Sequence, residues 1–185
     1  AGSRRFRARF VMTPDEAAAH LVRTDPRFEV TEADIRGVRY RVFRNAPPHL
    51  RALLQHAGPV YGSGDVLVYR DARWSYPRFC SEICRVANAM ARDLGVRRGD
   101  RVAIAMRNYP ELPILILAVC ALGAVAVPMN AWWSEEELAY AIEDSGARLV
   151  FADGPRHERI APFADRQGLR LFAVRDVQGE YNYAD

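Results

Sequence analysis

The sequence predicts an α/β fold: a mostly parallel sheet with helices on both faces, plus a small N-terminal helix and strand-pair appendage. Three observations predict it. Short apolar runs at 101–106, 125–127, 148–152 and 170–174 have strand length. The segments between them repeat apolar residues at helical steps or carry helix caps. Gly95, Gly123, Gly146 and Pro128 punctuate the joins. Strands alternating with helices in this way imply right-handed βαβ units.

The elements follow in order. Thr13-Pro14-Asp15-Glu16 reads as a helix start, with a capping threonine, proline in the first turn and acids at the positive end of the dipole. That helix is expected to end near Arg23. Arg27–Thr31 and Val38–Arg44 alternate apolar and polar residues around Gly37, as a strand pair joined by a long loop. Pro47-Pro48 opens a second helix with Leu50, Leu53 and Leu54 on one face, and Pro59–Asp65 is expected to be loop. Val66–Tyr69 and Arg73–Ser75 bracket a tight turn at Asp71-Ala72.

The pattern then turns regular. Phe79, Ile83, Val86, Ala87, Met90 and Leu94 mark an amphipathic helix stopped by Gly95. After the strand at 101–106, Asn108 and Glu111 are spaced as a capping box for a helix that is apolar all round from Leu112 to Leu122. Val125–Val127 is expected to be a strand buried on both faces. Ser134 and Glu137 repeat the capping box, and Gly146 ends that helix. His157–Phe163 reads as the last helix, before the strand at 170–174. Gly179–Asp185 has no pattern and is expected to fray.

Composition bounds the class of function. With 185 residues, half of them hydrophobic, the chain can build one ordinary domain with a core. The net charge of +3 demands no nucleic-acid partner. All 26 basic residues are arginine, and Arg4, Arg5, Arg7 and Arg9 precede every acid, as a surface arm. The most apolar stretch, Leu112–Pro128, is too short to span a bilayer. No signal-peptide pattern is seen, so a cytoplasmic protein is expected. Cys80, Cys84 and Cys120 form no disulfide or metal framework and read as small core hydrophobes.

Candidate chemistry is sparse. Phosphate binding in such a fold needs a glycine-rich turn between strand and helix, so that backbone N–H groups can close on the anion. The turns here are Arg107-Asn108-Tyr109-Pro110, Pro128-Met129-Asn130 and Asp153-Gly154-Pro155. None fits, and neither dinucleotide nor P-loop fingerprint occurs. His20, His49, His56 and His157 are scattered on helices and read as solvated. Glu135, Glu136, Glu137, Glu143 and Asp144 share one helix and serve its dipole. Catalytic, cofactor-binding and metal-ligating residues are therefore none. Trp132-Trp133, between a buried strand and a helix cap, stands out. One ring could pack in the core and one staple the helix entry, or the pair could wall an apolar ligand.

The order of Trp74-Ser75-Tyr76, the helix to Leu94, Gly95–Val102, Asn108-Tyr109-Pro110-Glu111 and Leu122–Asn130 resembles the start of the adenylate-forming (AMP-binding) acyl-CoA synthetases. The continuation through Trp132-Trp133, and the stretch Arg27–Asn45, are similar to bacterial fatty-acid–CoA ligases. The resemblance covers roughly residues 13–175. It makes Gly95, Gly99, Asp100, Gly123, Pro128 and Asn130 fold-defining family positions, and Trp132 and Trp133 a wall of the acyl or CoA channel. It implies residues 1–45 as an N-terminal arm, helix and short strand pair, and 46–185 as a truncated α/β portion of the AMP-binding large domain. Two departures stand out: Arg78 replaces the usual acid of the first core motif's capping box, and Trp132 replaces a polar or basic residue near the CoA channel.

The implied activity is ATP-dependent acid–thiol ligation, with acyl-adenylate formation followed by thioester formation with CoA. ATP, CoA and Mg²⁺ would serve the complete enzyme, none of them held tightly by this chain. Its phosphate loop, magnesium-placing acid and lysine-bearing C-terminal lid domain would lie downstream. The chain has no lysine, so the adenylating lysine is not in it. The resemblance thus implies an N-terminal segment of a fatty-acid–CoA ligase, inactive by itself, whose partners are the rest of the large domain, the lid and the fatty acid. A homodimer contact through the arm is also expected. A free-standing interaction or pseudoenzyme module is the alternative, and weak binding of CoA or acyl chains without chemistry is a third reading.

Overall fold

The computed structural model describes residues 12–175. The expectations for the arginine arm and for Gly179–Asp185 lie outside those residues. The described residues form two compact units, one up to Pro48 and one from His49 on.

In the first unit, α1 spans Pro14–Thr24. Thr13 caps it through a reciprocal pair: the Glu16 N–H donates to the Thr13 hydroxyl, and the Thr13 N–H donates to the Glu16 carboxylate. These bonds hold the Glu16 carboxyl below its ordinary pKa. Strands β1 (Val30–Ile35) and β2 (Val38–Phe43) pair antiparallel, with Ile35 opposite Val38. The connection is therefore the two residues Arg36-Gly37, not a long loop. Both take positive φ, 55° and 80°, the hand that two-residue hairpin turns need. The Asp34 carboxylate accepts the Gly37 N–H at 2.9 Å and closes the turn. Nor does β1 begin at Arg27. Pro26–Phe28 is one 3₁₀ turn, capped by Asp25, whose carboxylate also grips the Arg27 guanidinium.

The second unit opens with α2 (Leu50–Tyr61), β3 (Asp65–Tyr69), β4 (Ala72–Ser75) and α3 (Tyr76–Arg92). Four parallel strands follow: β5 (Arg101–Ala105), β6 (Val125–Pro128), β7 (Leu149–Asp153) and β8 (Arg170–Val174), in the order β6-β5-β7-β8. Their crossovers are α4 (Glu111–Ala121), α5 (Glu135–Ser145) and α6 (Gly154–Gln167).

Side chains alternate across the sheet. Val102, Ile104, Leu149, Phe151, Phe172 and Val174 enter one core, against α3 and α4. Ala103, Ala105, Val150 and Ala152 enter a second, with Leu138 and Ile142 of α5 and Ile160 and Phe163 of α6. Period-two strands with covers on both faces make the doubly wound architecture. In α4, Ile114, Leu115 and Val119 are fully buried, each stabilising by about 1.5–3 kcal/mol.

Several local expectations are corrected. Helix α2 runs past position 59 to Tyr61, whose ring stacks on Tyr76 at 5.1 Å and holds the last turn down. Of its three leucines only Leu54 packs on the core; Leu50 and Leu53 are exposed. The Asn108–Glu111 capping box does not form. Helix α4 starts at Glu111, whose carboxylate takes two bonds from Arg175 Nε at 2.8 and 2.9 Å; a guanidinium outcompetes a neutral amide for a carboxylate. Strand β6 is not buried on both faces. It is an edge strand, Val125 is 48% exposed, and Pro128 costs no ladder bond there. Helix α6 is longer than expected at both ends. Cys84 is exposed and Cys80 and Cys120 are half-buried, so none is a sealed core residue. Ser75 makes no side-chain cap bond, as Arg78 implied; Arg78 instead stacks its guanidinium on Trp74 at 4.0 Å.

Candidate functional site

Open α/β sheets bind ligands outside the carboxyl ends of their strands, at the point where the winding reverses. Here the chain runs from β5 outward to β6, then returns past β5 to β7 and β8. The reversal point is therefore the crevice between the ends of β5 and β7.

That crevice is filled by the chain itself. Asp153, the last residue of β7, is 2% exposed, and Arg156 in the first turn of α6 is 4% exposed. Asp153 Oδ2 accepts the Arg107 N–H at 3.0 Å, just past β5. Asp153 Oδ1 lies 3.2 Å from Arg156 Nε. Neither atom of that contact has an aligned hydrogen bond, so the attraction is chiefly Coulombic. Asp153 stands at the N-cap position of α6 but does not cap it; its carboxylate ties β7 to β5 instead. Sequence reading passed over this pair. The available signal was an acid at a strand's last position with an arginine three residues on, a spacing that ordinary helix starts share.

Beside the plugged crevice, the loops after β5 and β6 open a cleft of about 620 Å³, lined by Tyr69, Arg70, Arg107, Tyr109, Asn130 and Trp132. Trp132 is 77% exposed, with the Arg107 guanidinium 5.0 Å above its ring. Arg175, past β8, lies over both Tyr69 and Tyr109 at 5.4 and 5.1 Å. The cleft is thus aromatic and cationic. Asn130 builds its floor: the Asn130 side-chain oxygen accepts the Trp132 N–H at 2.9 Å, and its carbonyl accepts the Trp133 N–H at 3.2 Å.

The two tryptophans part at once. Trp133 packs against the second core, and its carbonyl accepts from Arg159 at 2.7 Å. It lines a separate cleft of about 420 Å³ with Glu137 and Tyr140. Pro128 borders both clefts. Gly95, Gly99, Asp100 and Gly123 lie at the opposite, amino end of the strands. There the Gly99 N–H donates to the Gly123 carbonyl at 3.0 Å, and Asp100 accepts the Arg97 N–H at 2.7 Å. His49 caps α2 by accepting the Ala52 N–H on Nδ1 at 3.0 Å. Partial burial lowers the pKa of His157, against the pull of Glu158. Among the described residues, no helix is long and apolar enough to cross a membrane.

Fold and cleft together define a doubly wound α/β unit whose carboxyl edge carries an aromatic and cationic cleft and no glycine-rich phosphate loop. The chain belongs to the AMP-binding enzyme family, whose model matches residues 54–180. A crotonobetaine/carnitine–CoA ligase from Escherichia fergusonii is 32% identical over 138 residues, covering 70% of this chain and 26% of the relative. A solved structure from Rhodopseudomonas palustris, assigned as a long-chain-fatty-acid CoA ligase, is 25% identical with a TM-score of 0.67, over 72% of this chain and 34% of that one. A fatty acyl CoA synthetase from Mycobacterium tuberculosis is 26% identical with a TM-score of 0.62, over 66% of this chain and 26% of that one. The chain thus spans about a quarter of the length of the curated ligases it matches.

Proposed function

We propose that this chain supplies the first αβ units of the large domain of a cytoplasmic, AMP-forming fatty-acid–CoA ligase, as scaffold, and forms no acyl-adenylate by itself. The carrying observation is the plugged crevice: the place where such a sheet would receive a nucleotide holds Asp153 and Arg156. The residues present do not fit ATP–Mg²⁺. The carboxylates at this edge are already engaged, Asp153 by Arg107 and Arg156, and Glu111 by Arg175. The sequence has no lysine to meet developing charge on a phosphate. ATP, Mg²⁺ and CoA are then bound by the complete enzyme, with the rest of the large domain and the lid supplying the phosphate contacts. The aromatic and cationic cleft suits a channel wall for the acyl chain or CoA, with Trp132 on one side and Trp133 on the neighbouring cleft. The exposure of Leu50, Leu53 and Val125 favours a unit that packs against more protein over a free-standing module. A contact between two copies through the N-terminal arm belongs to the same proposal.

The test is calorimetric titration of the chain with ATP–Mg²⁺, CoA and a medium-chain fatty acid in turn, beside a pyrophosphate-release assay. No ATP binding and no turnover are expected. Saturable ATP binding, or pyrophosphate release dependent on the acid, would overturn the proposal.

A further inference from the structure

Three arginines meet at the amino ends of the strands, the end of the sheet opposite the Trp132 cleft. Arg101 opens β5, Arg148 directly precedes β7 and Arg170 opens β8. The sheet register brings them together from distant parts of the chain. Val102 pairs with Leu149 and Leu149 with Arg170, and the Arg170 N–H donates to the Arg148 carbonyl at 2.9 Å. All three line one cavity of about 230 Å³, together with Gly95, Asp100 and Gly146.

Each guanidinium is anchored by a backbone carbonyl at a helix end. Arg101 Nε donates to Ser145 at 3.1 Å, Arg148 Nη1 donates to Gln167, and Arg170 Nη1 donates to Leu94 at 2.9 Å. A Cβ at Gly146 would stand 3.1 Å from Arg101 Nη2, so the glycine leaves room for that head. The partial negative charge of a helix end draws a guanidinium in but does not neutralise it. A guanidinium has several N–H donors and no acceptor, so each anchored head keeps donors to spare. The acid on the cavity wall is Asp100, and its carboxylate accepts the Arg97 N–H at 2.7 Å. Among the described residues, none of the three arginines is ion-paired. Three arginines and one aspartate give the lining a net charge of +2.

The cavity is smaller than the roughly 300–1,000 Å³ of pockets for drug-sized ligands, and the groups left free in it are charged donors. We propose that it binds a small dianion of the phosphate or sulfate type, held by Arg101, Arg148 and Arg170. Guanidinium groups fixed in place suit an oxyanion, which accepts paired N–H bonds from each fork. The site lies apart from the carboxyl edge, and the inference stands whether or not the chain forms an adenylate. The three heads are exposed, so binding weakens as salt rises.

The experiment titrates the full chain with inorganic phosphate at roughly pH 8, where the dianion dominates, at an ionic strength fixed with sodium chloride. Calorimetry and the rise in melting temperature with ligand are the readouts. One saturable site per chain is expected, with sulfate competing for it. Glycerol 3-phosphate, titrated in parallel, separates the sources: tighter binding than inorganic phosphate assigns a phosphate monoester, weaker binding the free ion. Arg148→Gln and Arg170→Gln should each weaken binding about tenfold or more. Arg148→Lys and Arg170→Lys keep the charge but lose the fork, and should weaken it less. Arg39→Gln, in the β1–β2 hairpin, lowers the net charge equally and should leave binding unchanged. ATP–Mg²⁺, which carries its own counter-cation, should not displace the phosphate. The proposal is overturned if phosphate binding does not saturate, if Arg39→Gln weakens it as much as Arg170→Gln, if both Gln variants bind as the unaltered chain does, or if ATP–Mg²⁺ displaces the anion.

Discussion

Removing Asp153 tests the buried contact at the end of β7. Asp153→Ala leaves the Arg156 guanidinium, 4% exposed, without its ion-pair partner, and strips the Arg107 N–H of its acceptor. Breaking a buried pair from one side costs about 3–5 kcal/mol. The Nε to Oδ1 approach is not an aligned hydrogen bond, which argues for the lower end. Loss of the Arg107 bond contributes to the same total and brings the expectation to about 4 kcal/mol. At roughly 2–4 °C per kcal/mol for a chain of this size, melting should fall by about 10 °C. The informative variant is the pair Asp153→Ala with Arg156→Met. Replacing a buried ion pair by apolar groups is often neutral, so the double variant should regain most of the loss. A urea-denaturation cycle over the four proteins should give a coupling energy above about 2 kcal/mol. Additive single effects, within about 0.5 kcal/mol, would show that the two residues do not act as a pair and would remove the plug from the account of the crevice.

Three further outcomes follow from local contacts. Ser134→Ala removes one arm of the reciprocal cap on α5, where the Glu137 N–H meets the Ser134 hydroxyl at 3.3 Å. It should cost about 1 kcal/mol by chemical denaturation. Gly123→Ala places a Cβ at φ +73°, 3.2 Å from Arg98 Cγ. The flexible arginine can yield but the backbone cannot, so about 1–2 kcal/mol should be lost. His157 has a folded pKa lowered by burial. Its share of stability is therefore present above the unfolded value, near pH 6.5, and is lost as pH falls through the folded value, because the unfolded chain then binds the extra proton. Urea midpoints measured from pH 7 downward should drop, and His157→Gln should flatten that drop. An unchanged slope would show that another group carries it.

Much of the fold was legible because periodicity reports burial. The face of α3 read from Phe79, Ile83, Val86, Ala87 and Met90 is the face that is buried. The Ser134–Glu137 cap and the Gly146 stop stand where the spacing put them. What failed shares one physical cause: local sequence does not report long-range competition. Asn108 and Glu111 have capping-box spacing, but Arg175, distant in the chain, claims the Glu111 carboxylate. Val125–Val127 is as apolar as an interior strand, yet strand order places it at an edge, and order is not written in composition. The cleft was half legible. Tandem tryptophans attracted notice, but the arginine stacked on Trp132 comes from another strand's end. Asp153 and Arg156 were invisible because a buried ion pair and a solvated helix start share one spelling.

The plug also limits where a nucleotide can be held. A phosphate entering between β5 and β7 would meet a carboxylate already bonded to a backbone N–H and facing a buried guanidinium. Displacing Asp153 to free those donors would expose an unpaired buried cation, at a cost of several kcal/mol before any phosphate contact formed. The neighbouring cleft carries no such penalty. Arg107 and Trp132 present their faces to solvent there, and Arg70 lines the same wall. Stacking between an arginine and an exposed indole contributes about 0.5–1 kcal/mol, far less than breaking the buried pair costs. The sheet thus divides its carboxyl edge in two. The crevice between β5 and β7 is tied across its strands by Asp153, and the loops beyond β5 and β6 stay open to solvent.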